Sequence, residues 1–297
     1  MNMKDIFINY DGLEKFRQQN EVKVAVIARP DWFMKDAKIS HLIVETESGI
    51  HNRCYLTEYE GISFIIVYGR FDRVRGLSSD INYELTQETL SALGIETIIG
   101  TFVGGSIKDE DFAGNIYIPH DFFGMGNYSQ SRNRQKGFRN VDMYEPFCAE
   151  ARGALVRAAD NVDYPVKREG VYVCFHGYPR IETRAELDFY KRMGWDIVGQ
   201  TLDPEATLAK EAGCHYAALA GAIDDRALRQ KFMDNDPTAK DEIEQNIIGV
   251  RRKTFEIFLH ALPSLVRSGF ECNCEQQKKH IGQQNYKFYY MPRYLVE

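Results

Sequence analysis

A three-layer α/β/α fold with a mixed, largely parallel central sheet is the class this sequence predicts. Strand-like runs rich in β-branched residues alternate with helix-like segments along the chain. The 297 residues allow one large α/β domain or two small ones. With 44% apolar and 27% charged residues, the chain has too much core material for a mainly disordered protein. It holds no internal repeat, low-complexity tract or linker. The expected organisation is one domain over 1–270, with its core at about 22–265, and a C-terminal extension over 271–297. That extension is polar and aromatic, as expected of a docked segment or a subunit interface.

The elements follow in chain order. Val22–Ala28 is the first strong strand signal, and a short strand is expected near His41–Glu45. Ile62–Gly69 is a near-continuous apolar run of the kind buried on both faces of a sheet. Asn82–Leu93 has helical spacing in Leu85, Leu90 and Leu93, with Gly94 as a C-terminal stop. Ile95–Thr101 is again a strand. Residues 104–140 read as loops with one short strand at Ile116–Ile118, and a loop region this long is usually functional. Ala149–Ala159 is helical, Gly170–Phe175 a strand, Arg184–Met193 a helix and Trp195–Gly199 a strand. Asp203–Ala212 reads as a helix with Asp203 at the N-cap and Pro204 in the first turn. His215–Ile223 is a strand, and Lys240–Leu262 a long helix striped by Ile243, Ile247, Val250, Phe258 and Leu262.

Several function classes are excluded at this level. No apolar run approaches the roughly 18–20 residues that cross a bilayer; the best candidate is Ile62–Val67. A net charge of −6 speaks against a nucleic-acid partner. The N-terminal residues 1–20 lack the apolar core of a secretion signal, so a cytoplasmic location is expected. Of the six cysteines, Cys54, Cys148, Cys174 and Cys214 are isolated in sequence. Cys272 and Cys274 form only a C-x-C pair, and His280 nearby makes a metal site in the tail conceivable. Reduced thiols are the expectation, and no metal and no cofactor are assigned.

In open α/β sheets, ligands bind beyond the carboxyl ends of the strands. Those ends carry Arg29, Arg70 and Arg73, then Gly104 and Gly105, then His176, Gln200 and Thr201, and finally Asp224, Asp225 and Arg226. Arginines with carboxylates, a histidine and glycines suit a polar, partly anionic small molecule. Each also has a plainer reading. Gly104-Gly105 reads as a turn or as a phosphate cradle, the arginines as a solvated face, His176 as structural, and Asp224-Asp225 as a helix cap.

The later motifs are more specific. T-R-A-E at 183–186 is followed by Tyr190, Gly194, Trp195, Asp196, Gly199 and Thr201, then by Pro204-Glu205, Glu211-Ala212-Gly213 and Asp224. Earlier segments agree: Gly69-Arg70, Ile81-Asn82-Tyr83, Gly105-Ser106 and Glu145-Pro146-Phe147-Cys148. This pattern resembles the purine nucleoside phosphorylase superfamily, most closely its 5′-methylthioadenosine phosphorylase branch, over roughly residues 22–265. The resemblance implies a nucleoside phosphorylase-like domain, commonly assembled as a homotrimer, that cleaves an N-glycosidic bond with phosphate as co-substrate. It implies Asp224 as the catalytic group, placed to share or donate a proton at purine N7. It implies a substrate surface at Asn82, Tyr83, Phe102, Val103, His176, Ile181, Gln200, Thr201 and Arg226.

This chain departs from the family pattern at three phosphate-holding segments. The glycine-rich loop after the first strand is Ala28-Arg29-Pro30-Asp31, where proline lacks an N–H donor and Asp31 repels an anion. One phosphate-binding Arg is Val67, the following His is Asp72, and the Thr-Ala pair is Phe102-Val103. Arg29, Arg70 and Arg73 are the candidates for a repositioned anion site. On the nucleoside side, Gln200, Ile181 and His176 replace the family's Met, Phe and Glu. Arg226 replaces a base-recognising Asp, which favours a base presenting an acceptor where adenine presents its amino group. The expected function is therefore pentosyl transfer from a purine-type nucleoside with an atypical substrate or nucleophile. The alternatives are a phosphate-independent nucleosidase or other glycosyl-transfer enzyme of specialised metabolism, and an inactive nucleoside-binding homologue.

Overall fold

The computed structural model describes residues 5–68, 81–108, 113–125, 141–176, 180–267 and 269–275. Its strands are β1 (Asp5–Ile8), β2 (Val24–Ile27), β3 (Ile39–Glu45), β4 (His51–Tyr59), β5 (Ile62–Val67) and β6 (Thr97–Ser106), then β7 (Ile116–Tyr117), β8 (Asp121–Met125), β9 (Val166–Lys167), β10 (Val171–Phe175), β11 (Ile197–Gly199) and β12 (His215–Asp224). Its α-helices are α1 (Leu13–Gln19), α2 (Asp31–Asp36), α3 (Tyr83–Ala92) and α4 (Ala149–Ala159), then α5 (Arg184–Arg192), α6 (Glu205–Glu211), α7 (Arg226–Met233) and α8 (Pro237–Leu265).

Strand β6 is the hub of the sheet. It pairs in parallel with β2 on one side and with β12 on the other. Its last residues then leave β12 and pair antiparallel with β11 through Gly105 and Ser106. The order β1-β3-β4-β5-β2-β6-β11-β10-β8 runs across the sheet, with β12, β7 and β9 branching from β6. Among the described residues, seven of the eleven strand pairings are parallel, so the sheet is mixed and largely parallel as expected.

Alternation along β2 shows why the domain has three layers. Val24 and Val26 face one apolar cluster with α4 and α8; Ala25 and Ile27 face another with α1, α3 and α6. Side chains on a strand alternate between faces, and all four residues here are buried. A strand covered on both sides must be apolar throughout, which is what made the sequence signal strong. Each such Val or Ile contributes about 1.5–3 kcal/mol by leaving water. Helix α8 supplies much of one outer layer. Val250, Phe255, Phe258, Leu262 and Leu265 are buried along it, and its start is capped by Asp236, which accepts from the Thr238 N–H at 2.9 Å.

The structure departs from the expectations at several points. Gly104 and Gly105 are not a turn; they continue β6. A Cβ on Gly104 would lie 2.2 Å from the Val198 carbonyl oxygen, so glycine is what allows the crossing to β11. Asp203 is not at the N-cap position of α6, although its carboxylate meets the backbone of Thr207 in the first turn. The helix starts at Glu205, and the Asp203 carboxylate also accepts from the Thr207 hydroxyl at 2.5 Å. Strand β8 lies inside the stretch read as loop and pairs in parallel with β10. Strand β1, from the lead placed outside the core, pairs with β3. Among the described residues, no helix is long and apolar enough to cross a membrane.

Candidate active site

Three strand ends and the turn before α5 meet around a cleft of about 460 Å³. Val103, Gly104 and Gly105 come from β6, Gln200 and Thr201 follow β11, and Ile223 and Asp224 end β12. Val198 and Gly199 of β11, with Ile81, Ile181, Glu182 and Arg229, complete the wall. The volume suits a small organic ligand, and the wall is apolar with a few convergent polar groups.

Those polar groups form one chain of charges. Arg229 donates from Nε to Asp224 Oδ2 at 3.3 Å and from Nη1 to Glu182 Oε2 at 3.2 Å. The local sequence dictates this arrangement. Asp225 caps α7, accepting from the Leu228 N–H at 2.8 Å, and the new helix turns Arg229 back over the strand end. Asp224, one residue earlier, is left facing the cleft. Gly105 makes room for the pair: a Cβ there would lie 2.6 Å from Asp224 Oδ1 and 2.7 Å from Arg229 Nη2. Burial pushes the Asp224 carboxyl above the ordinary aspartate range, and the Arg229 guanidinium opposes that rise. The Asp224 side chain is 16% exposed, Arg229 19% and Glu182 4%, so the three charges interact with little solvent between them.

The other residues named from sequence divide into groups. Val103, Ile181, Gln200 and Thr201 line the cleft with Asp224. Arg226 does not; it pairs with Asp188 at 2.8 Å and lines an adjoining cavity of about 730 Å³ that shares Ile181, Glu182 and Arg229 with the cleft. Phe102 is 3% exposed and packs its ring against Tyr172 in the core, at 5.8 Å between centroids. Asn82 caps α3 by accepting from the Leu85 N–H at 2.8 Å, and Tyr83 is buried beneath it. Arg29 pairs with Asp31, Nε to Oδ2 3.0 Å, and Asp31 also accepts from the Tyr68 hydroxyl at 3.1 Å. Arg70 and Arg73 lie outside the described residues. Glu182 and Arg229 were not among the sequence candidates.

His176 follows β10, its Nδ1 3.9 Å from Cys174 Sγ, and meets the backbone of Gln200. Burial lowers its pKa from 6.5 to about 4, so the imidazole is neutral near pH 7. A depressed histidine contributes stability that is present above its unfolded value and lost as pH falls through the folded one. Stability is therefore expected to decline from about pH 6.5 towards pH 4. His176→Gln should flatten that decline in urea unfolding curves taken across this window; an unchanged slope would remove His176 as its cause.

Comparison with known proteins gives these groups a family. A family model described as "Phosphorylase superfamily" matches residues 22–262. The chain belongs to the phosphorylase superfamily. Its methylthioadenosine phosphorylase branch is the side to which the relatives point. The probable S-methyl-5′-thioinosine phosphorylase of Thermodesulfovibrio yellowstonii is 33% identical over 221 residues, which span 72% of this chain and 82% of that protein. The S-methyl-5′-thioadenosine phosphorylase of Anopheles gambiae is 26% identical over 276 residues, or 89% of this chain and 96% of that one. A methylthioadenosine phosphorylase structure from an antarctic soil metagenomic library shares the fold. Its TM-score is 0.77 at 23% identity, covering 88% of this chain and 92% of that one.

Within this superfamily fold, the T-R-A-E motif has a local physical task. Thr183 and Glu186 form a reciprocal capping box that starts α5. Arg180 clasps Glu186 through two bonds of 2.8 Å, and this contact lowers the Glu186 pKa to about 2. The motif thereby fixes the turn that carries Ile181 and Glu182 into the cleft.

Proposed function

We propose that this chain cleaves the N-glycosidic bond of a purine-type nucleoside and transfers the pentosyl group to phosphate, with a 6-oxopurine as the preferred leaving base. The observation that carries this reading is the buried Asp224–Arg229–Glu182 array in a cleft of small-molecule size. As the bond between C1′ and N9 breaks, its electron pair moves onto the base and the sugar becomes oxocarbenium-like. The base must then be stabilised and protonated. A carboxyl whose pKa is raised by burial holds a proton more readily than an ordinary aspartate, and Asp224 is such a group. A phosphate oxygen would form the new bond to C1′.

The preference for a 6-oxopurine rests on donors. Arg229 in the cleft and Arg226 beside it are permanent donors, suited to a carbonyl acceptor and poorly suited to an exocyclic amine. Among the relatives, the thioinosine phosphorylase is named for a 6-oxopurine substrate and the thioadenosine phosphorylases for a 6-amino one, so the choice rests on the donors. A homotrimer is the assembly proposed with this reading.

One observation favours a second reading, hydrolysis. Arg29, at the strand end where the family holds phosphate, is already paired with Asp31. The two readings separate in one assay. Base release from S-methyl-5′-thioinosine, inosine and their 6-amino counterparts is followed with and without phosphate, in water labelled with heavy oxygen. The proposal expects phosphate-dependent release, faster from the 6-oxo substrates, and an unlabelled sugar 1-phosphate. Phosphate-independent release of labelled free sugar would establish hydrolysis, and faster release from the 6-amino substrates would reject the base preference.

A further inference from the structure

At the opposite end of β12 from Asp224 lies a second cluster of reactive side chains. Cys148 stands at the N-cap of α4, His215 opens β12, and Cys272 and Cys274 follow α8. Their ligand atoms all lie within 4.8 Å of one another. His215 Nδ1 is 3.2 Å from Cys272 Sγ and 3.6 Å from Cys148 Sγ. Three sulfurs and one imidazole nitrogen thus converge on a common centre from three separate parts of the chain.

We propose that Cys148, His215, Cys272 and Cys274 bind one zinc ion as a closed, four-ligand structural site. The chemistry of the donor set selects the metal. Three thiolates and a neutral imidazole form one of the standard structural zinc sets, and soft sulfur ligands disfavour calcium or magnesium. The spacing also fits. Around a tetrahedral zinc with bonds of about 2.3 Å to sulfur and 2.0 Å to nitrogen, ligand atoms lie roughly 3.5–3.8 Å apart. The observed separations need only small side-chain adjustments to reach that figure.

The surroundings support the assignment. Phe270 packs on the imidazole at 4.8 Å between ring centroids, which holds the ring in place. The thiols and Lys210 line a cavity of about 290 Å³. The Lys210 ammonium is anchored on the Glu145 carbonyl and lies close enough to interact with Cys148 and Cys274. Zinc with three thiolates carries one net negative charge, and Lys210 is the cation placed to balance it. On binding, each thiol that coordinates gives up its proton to solvent, and no electron is transferred.

This site does not take part in the chemistry proposed for Asp224. His215 and Asp224 are the first and last residues of one ten-residue strand, so the two sites are roughly 30 Å apart. Its role is to lock the segment after α8 onto α4 and the base of β12.

The test begins with the full chain purified under reducing conditions and reconstituted with zinc. Elemental analysis should find one zinc per chain. An organomercurial thiol reagent should release it to a colorimetric chelator. Cobalt in its place should show the intense visible bands of a tetrahedral thiolate site. Zinc removal should lower the melting temperature by several degrees while leaving kcat at a permissive temperature within twofold. The double variant Cys272→Ser, Cys274→Ser should lose both metal and cobalt bands. If that variant does not fold, the cobalt spectrum and metal content of the unaltered chain still decide the question. A folded, reduced chain that takes up no zinc after reconstitution would overturn the proposal. So would an intact mass showing that any of the three cysteines is held in a disulfide that persists under reducing conditions.

Discussion

Asp224→Asn is expected to lower kcat for base release by about 10²–10⁴-fold, the range for losing a positioned general acid. Asparagine keeps the shape of the side chain and can still offer a hydrogen bond to the base. It has no proton to transfer. The fold should survive, because Arg229 retains Glu182 at 3.2 Å and the variant removes a charge from a buried position. The pH profile supplies a second readout. With a carboxyl raised by burial acting as the acid, kcat falls as pH rises through that raised value. The variant should lack this limb. Steady-state kinetics on both proteins between pH 4 and pH 9 would check it, and a variant with unreduced kcat would dismiss Asp224 from the chemistry.

Arg229→Met should cost the fold about 3–5 kcal/mol, the usual loss when one partner of a buried ion pair is removed. The reason is the carboxylates left behind. Glu182 is 4% exposed and Asp224 16%, and Arg229 is the cation bonded to both. Without it, Asp224 loses the interaction that opposes the effect of burial, and its pKa rises further. A carboxyl with a raised folded-state pKa is most stabilising when protonated, so the deficit should shrink as pH falls. Urea unfolding at pH 7.5 and pH 5 would show this. The double variant Glu182→Gln, Arg229→Met should regain part of the loss, since one stranded anion is gone. An Arg229→Met protein as stable as the unaltered chain at pH 7.5 would mean that solvent screens the array.

Sequence patterns carried the central part of the fold because its strands are buried on both faces. Runs such as Val24–Ile27 and Ile62–Val67 have little choice but to be apolar. The elements that escaped notice obey weaker constraints. Helix α7 is short and buries only Leu228, with Phe232 and Met233 exposed. Strand β4 carries Arg53 and Glu58 among its nine residues, which blurs its alternation. The last part of β6 was hidden by Gly104-Gly105, a pair that ordinarily marks a turn.

Part of the candidate cleft was legible in the same way. Asp224, Gln200, Thr201, Val103 and Ile181 line one cleft. Arg229 was missed because its approach to Asp224 depends on α7, and Glu182 because its partner was missing from the reading. One signal was available: Asp225 as an N-cap places Arg229 on the first turn of the following helix, within reach of the strand end. The thiol–imidazole cluster lay beyond sequence reasoning for a different reason. Cys148 and His215 are 67 residues apart, and His215 and Cys272 are 57 apart. No local spacing records such a meeting, and the nearby His280, which suggested a partner within the tail, lies outside the described residues.

The bare backbone at Gly105 sets the room available to the charge array. A methyl group there would press on flexible side-chain ends, Asp224 Oδ1 and Arg229 Nη2, and not on the backbone of a neighbouring strand. The sheet would tolerate the newcomer while the acid and its guanidinium were pushed apart. A single added carbon at this position would act on the spacing of the charge array and not on the sheet that carries it.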